Sequence, residues 1–144
     1  MSDRPGVAVF DTNVLVAGFL NPHGAPGRIV EWLRSGAVRA GLDDRIISEY
    51  EEVLARREFA LPRHEVSIVL RRIRSQAEYA VVSPSHVVRG LPDADDADDA
   101  PFAECALALV CPLVSGNTRH FPAAAIGTLT ILTPRQFVDA HAKA

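Results

Sequence analysis

Short apolar runs alternate with longer segments of helical periodicity along nearly the whole chain, and this alternation restricts the fold more than any other feature. Val7–Phe10, Val38–Leu42, Tyr79–Val82, Leu113–Ser115 and Leu129–Thr133 have the length and composition of strands. Between them, Ile29, Val30, Trp32 and Leu33 form a helical stripe over Gly27–Ser35, ended near Gly36. Val66, Val69, Leu70, Ile73 and Ala77, spaced by threes and fours, give an amphipathic helix within Arg63–Ala80, its arginines on the opposite face. Ser48 followed by Glu51 matches a capping box and starts a helix, which puts Glu49 in its first turn. Pro101 suits a first helical turn before the body Ala103–Val110, and Pro134–His141 supplies the last helix. Strands and helices alternating at this spacing predict an α/β/α sandwich with a mostly parallel sheet.

In such a sheet, side chains at the carboxyl ends of strands line the ligand crevice. Asp11 follows Val7–Phe10 directly and Asn117 follows Leu113–Ser115, while Glu49 opens a helix. Five aspartates fall within the seven residues Asp93–Asp99. Carboxylates so crowded raise each other's pKa unless they face solvent or share a cation. Asp11, Glu49, Asp99 and Asn117 all offer oxygen ligands, with no His or Cys among them. That donor set selects hard cations such as Mg²⁺ or Mn²⁺ over Zn²⁺ and suits phosphodiester hydrolysis. Each residue also has a plainer reading: Asp11 as a helix N-cap, and Glu49 with its neighbours Glu51 and Glu52 as a solvated helix face.

With 144 residues, 48% of them hydrophobic, the chain can bury one core, so residues 1–144 are expected to form one domain. Its apolar stretches fall short of the roughly 18 residues that cross a bilayer, and no signal-peptide pattern opens it, which predicts a cytoplasmic protein without a membrane partner. Cys105 and Cys111 lie in apolar surroundings without metal-ligand spacing and read as buried small hydrophobes. The net charge of −3 does not advertise nucleic-acid binding, but its distribution is uneven. Arg56, Arg57, Arg63, Arg71, Arg72 and Arg74 outweigh Glu58 and Glu65 by +4, and Asp93–Asp99 carries −5. A basic face beside an acidic pocket suits an enzyme that grips a polyanion and uses cations to cut it, although an arginine-rich helix face is also an ordinary solvated surface.

Four stretches carry a family resemblance: Val9–Val16 with Asp11-Thr12-Asn13; Ile47–Arg56 with Ser48-Glu49; Asp96–Glu104 with Asp98-Asp99; and Leu113–Pro122 with Ser115-Gly116-Asn117. Together with Ile131–Phe137 they resemble the PIN-domain family, most closely its branch of toxin components of toxin–antitoxin systems (VapC-like). The resemblance implies a five-stranded PIN fold and a divalent-metal-dependent ribonuclease. Asp11, Glu49 and Asp99 match its metal-binding carboxylates, with Asp96 and Asp98 able to supply or support a ligand. At the fourth position, where much of the family has Thr-x-Asp, Asn117 carries no charge, which implies weaker binding of one ion. Asn13 and Ser115 are expected to hydrogen-bond the carboxylates and fix their orientation. Asp93 and Asp95 read as solvated loop, and His120 as a packing or capping residue rather than a general base. The resemblance further implies an RNA substrate, a cognate antitoxin and a homodimer. Arg56, Arg57, Arg71, Arg72 and Arg74 become an RNA-gripping or partner-docking surface.

Two other readings compete. A receiver-like or phosphatase domain also binds Mg²⁺ at parallel strand ends. It needs an acidic pair or Asp-x-Asp at the first strand and a late lysine, whereas this chain has Asp11-Thr12-Asn13 and its only lysine is Lys143. A catalytically weak or inactive PIN-like module that binds RNA or protein is the other, kept open by Asn117.

Overall fold

β1 (Gly6–Phe10) lies at the centre of a five-stranded sheet of order β3-β2-β1-β4-β5, with every pairing parallel. The computed structural model describes residues 6–89, 96–121 and 127–142, with the backbone alone for 96–98. β2 (Val38–Leu42) and β3 (Glu78–Tyr79) extend the sheet to one side of β1, and β4 (Leu113–Val114) and β5 (Ile131–Leu132) to the other. Gly6 registers with Val38, and Val9 with Leu113. The strand order reverses between β1 and β4, and in open parallel sheets such a reversal opens a crevice at the strands' carboxyl ends. The described residues thus form the expected α/β fold with a five-stranded parallel sheet.

Among the described residues the α-helices are α1 (Thr12–Leu20), α2 (Ala25–Ser35), α3 (Asp44–Leu54), α4 (Arg63–Gln76), α5 (Asp96–Leu109) and α6 (Pro134–Ala142). Adjacent strand residues point to opposite faces, and β1 shows the result. Val9 approaches Gly41 beside Leu109 of α5, while Phe10 meets Phe137 of α6 edge-to-face at 5.5 Å. α5 and α6 therefore cover opposite faces, and α2 packs against α6, α4 and α1. Ala8, Val9, Phe10, Leu42, Leu113 and Val114 are fully buried between these layers. Among the described residues no helix is long and apolar enough to cross a membrane.

Two helix starts differ from expectation. α3 begins at Asp44, because Asp43 accepts hydrogen bonds from the backbone N–H groups of Arg45 and Ile46 and so supplies the cap. Ser48 lies mid-helix, and Glu49 is in the second turn. α5 begins at Asp96 rather than near Pro101, which stands inside the helix and cannot donate to the carbonyl four residues back. The helix thus takes in Asp96, Asp98 and Asp99, which precede the expected start at Pro101. The loop expected at Asp93 and Asp95 lies outside the described residues. The other elements are mostly shorter than expected: α4 ends at Gln76, and β3 and β5 have two residues each.

Candidate active site

Asp11 follows the last residue of β1 and is 6% exposed. It occupies the N-cap position of α1, yet its side chain makes no capping hydrogen bond. The carboxylate instead turns across the sheet, where Ser115 Oγ donates to Asp11 Oδ2 at 2.7 Å. Burial raises its pKa above the usual carboxylate value, while Ser115, the amides of Asn13 and Thr12, and the His120 ring pull it down. Burial prevails. A carboxylate desolvated in this way is stabilised by any cation that reaches it.

Glu49 reaches the same end of the sheet from α3. Thr12 Oγ1, one residue beyond Asp11, donates to Glu49 Oε2 at 2.5 Å. Tyr50 fixes the helix itself: its buried hydroxyl donates to the Phe10 carbonyl oxygen at 2.5 Å, tying α3 to the end of β1. Burial, then the charges of Asp11 and Glu49, raise the Tyr50 phenol well above its ordinary pKa, so it stays a neutral donor. Thr12 and Tyr50 escaped the sequence reading. Both flank predicted carboxylates directly, and that adjacency was the available signal.

Asp99 enters from α5. Its Oδ2 lies 3.2 Å from Nδ1 of His120, which sits on the 3₁₀ turn Thr118–His120 after β4. His120, expected as a packing or capping residue, also faces a carboxylate. Its ring pairs with one predicted carboxylate and acts electrostatically on another, Asp11. Ser115 Oγ also accepts the Asn117 N–H at 3.0 Å, so one hydroxyl serves both the Asp11 carboxylate and the turn after β4. Asn13 also holds the β4 loop: its Oδ1 accepts the Gly116 N–H at 3.3 Å. Asn117 is exposed.

Asp11, Glu49, Asp99 and Asn117 are thus linked through Thr12, His120 and Ser115 at the carboxyl ends of β1 and β4. Among the described residues, no three His, Cys, Asp or Glu side chains form a group that could hold a metal ion, and the side chains of Asp96 and Asp98 lie outside the description. Glu104, a turn beyond the acidic run, is buried and otherwise engaged. It accepts from Arg45 Nη1 at 2.7 Å and from the Val88 N–H at 3.0 Å.

The expected arginine surface divides. Arg56 pairs with Glu52 and Arg74 with Glu51, while Arg72 Nε donates to the Arg34 carbonyl oxygen beside α2. Arg57 and Arg71 lie on a concavity between α3 and α4, to one side of the carboxylates. Arg56 is near enough to Glu49 to feel its charge.

A family model described as PIN domain matches residues 7–119, and no curated protein matches the chain. PIN domains are typically nucleases and generally use divalent metals. The matched span is most of the chain and runs from β1, through every linked carboxylate, to the turn after β4: the chain belongs to the PIN domain family.

Proposed function

We propose that this PIN domain is a metal-dependent endoribonuclease that hydrolyses RNA phosphodiester bonds with Mg²⁺ or Mn²⁺. The observation that carries the reading is the desolvated Asp11 carboxylate at the strand-order reversal, linked to Glu49 and Asp99 through Thr12 and His120. The donors fit a hard cation, since all are oxygen. Mg²⁺ in particular binds through one or two carboxylates and keeps several waters, so it does not need three protein ligands at rest. Asp11, Glu49 and Asp99 would hold the ion, with Asp96 and Asp98 close in sequence as further donors. When bound, a divalent ion supplies a water of lowered pKa and neutralises charge on the phosphate. The chain's own part is orientation. Ser115 fixes one oxygen of Asp11, Thr12 fixes one of Glu49, and His120 holds Asp99, so the carboxylates meet a substrate already aimed.

We further infer that the protein acts in the cytoplasm as a homodimer and as the toxin of a toxin–antitoxin pair, held in check by a cognate antitoxin. The support is the VapC-like sequence from Asp11-Thr12-Asn13 to Ile131–Phe137. Asn117, exposed and uncharged, favours a second reading, an RNA- or protein-binding module with weak or no cleavage.

Purified protein incubated with mixed RNA and Mn²⁺ or Mg²⁺, beside Asp11→Asn and Asp99→Asn, separates the two. Metal-dependent cleavage by the wild type, lost in both variants, is expected. Cleavage that survives both substitutions refutes the site. A wild type that binds metal without cutting RNA supports the second reading.

A further inference from the structure

The 3₁₀ turn Arg57–Phe59 and the segment after it join α3 to α4, and the two helices enclose a concavity of about 700 Å³. Its floor is aliphatic: Leu54 and Val66 are buried, and Leu61 and Leu70 half-buried. No aromatic or histidine side chain lines it. Its rim is cationic. Arg56 and Arg74 are engaged by Glu52 and Glu51, whereas Arg57, Arg63 and Arg71 are exposed and make no ion pair among the described residues.

These features select the occupant. Bases bound without sequence preference stack on aromatic faces, and this floor has none. An amphipathic helix lays aliphatic anchors into a groove between helices, and arginine forks match carboxylates in two-point contacts. Arg63 and Arg71 are eight residues apart on α4, a rise of about 12 Å. One head group of a small amphiphile does not span that length, but carboxylates two turns apart on a helix do. We propose that the α3–α4 groove is a docking site for an acidic amphipathic helix of a partner protein, with leucine-like side chains on the floor and carboxylates on Arg57, Arg63 and Arg71. α3 carries both Glu49 and the groove wall of Glu51 and Leu54, with Ala55 at its C-cap, so a helix seated there flanks the candidate active site. The inference rests on the groove and not on the nuclease reading.

The test titrates the whole protein into a fluorescein-labelled synthetic 18-residue helical peptide with leucines at i, i+4, i+7 and i+11 and glutamates flanking them. A second peptide has every glutamate replaced by lysine. Saturable binding of the glutamate peptide is expected, at least tenfold weaker for the lysine peptide. Arg63→Glu and Leu61→Asp should each weaken binding at least tenfold. Arg63→Glu is a surface change that leaves the far-ultraviolet circular dichroism unaltered, so it decides the matter if Leu61→Asp misfolds. Failure to bind the glutamate peptide, equal binding of both peptides, or indifference to Arg63→Glu overturns the proposal. Displacement of the bound peptide by a single-stranded RNA oligonucleotide, whose own binding is lost in Arg63→Glu, overturns it too and assigns the groove to RNA.

Discussion

Ser115 Oγ donates to Asp11 Oδ2 at 2.7 Å across 104 residues of chain, and the parallel pairing of Val9 with Leu113 and Phe10 with Val114 brings the two together. Because that hydroxyl orients a carboxylate, Ser115→Ala should lower metal-dependent cleavage by about 10- to 100-fold and raise the metal concentration for half-maximal activity. Thr12→Val, which removes the donor to Glu49 at nearly constant volume, should act in the same direction. Steady-state kinetics across a Mg²⁺ titration reads both, and unchanged half-saturation in both variants would refute orientation by these hydroxyls.

The raised pKa of Asp11 has a definite sign. The folded protein holds this proton more tightly than the unfolded chain, so its contribution to stability is present below the ordinary carboxylate value of about 4. It is lost as pH rises through the folded value. In metal-free buffer Asp11→Asn should therefore melt above the wild type at pH 7, the gap closing toward pH 4. Added Mg²⁺ should raise the wild-type melting temperature and leave the variant's unchanged. A variant less stable than the metal-free wild type at pH 7 would contradict the assignment.

Glu104 is buried with its charge facing Arg45, which also pairs with Asp43 at 2.8 Å. Burial alone would raise the Asp43 pKa, but Arg45 and the helix amides outweigh it and hold the carboxyl below the usual value. Arg45→Met keeps the apolar stem and strands a buried charge, so it should cost about 2 kcal/mol in urea denaturation. Glu104→Gln in the same background should recover part of the loss.

A methyl group at Gly27 would stand 2.2 Å from the Pro22 carbonyl oxygen, a backbone atom that cannot step aside as a side chain does. Gly27→Ala should destabilise by about 1–3 kcal/mol despite the better helix propensity of alanine. Thermal melts compare it with Gly24→Ala, where the nearest atoms are 3.5 Å away or more.

Burial pushes the Cys105 thiol to about 12 and the half-buried Cys111 thiol to about 11. Neither forms appreciable thiolate at pH 8. Iodoacetamide should leave Cys105 unmodified until the protein unfolds, with Cys111 reacting first, as followed by intact mass.

The sheet was legible because burial on both faces writes itself into the sequence as short apolar runs. Val38–Leu42 coincides with β2 to the residue. Helix starts were harder, since two capping patterns competed within a few residues at Asp43 and Ser48, and only the approach of the chain decides between them. The Asp96–Asp99 charge masked the start of α5 in the same way. Asp11, Glu49 and Asp99 could be named from short motifs, as could Ser115 as the partner of a carboxylate, but what holds Glu49 and Asp99 could not. Thr12 reaches Glu49 across 37 residues, and His120 meets Asp99 only because a 3₁₀ turn folds back after β4.

Parallel pairing of β4 with β1 also imposes an order in time. A chain emerging from the ribosome exposes Asp11 and Glu49 long before Ser115, and long-range pairings form only once both partners are available. Until β4 is synthesised and zipped alongside β1, Asp11 lacks its hydroxyl clamp and Asp99 its imidazole. The nascent chain therefore carries Asp11, Glu49 and Asp99 without their partners until β4 and the turn after it have been made, and the site assembles only then.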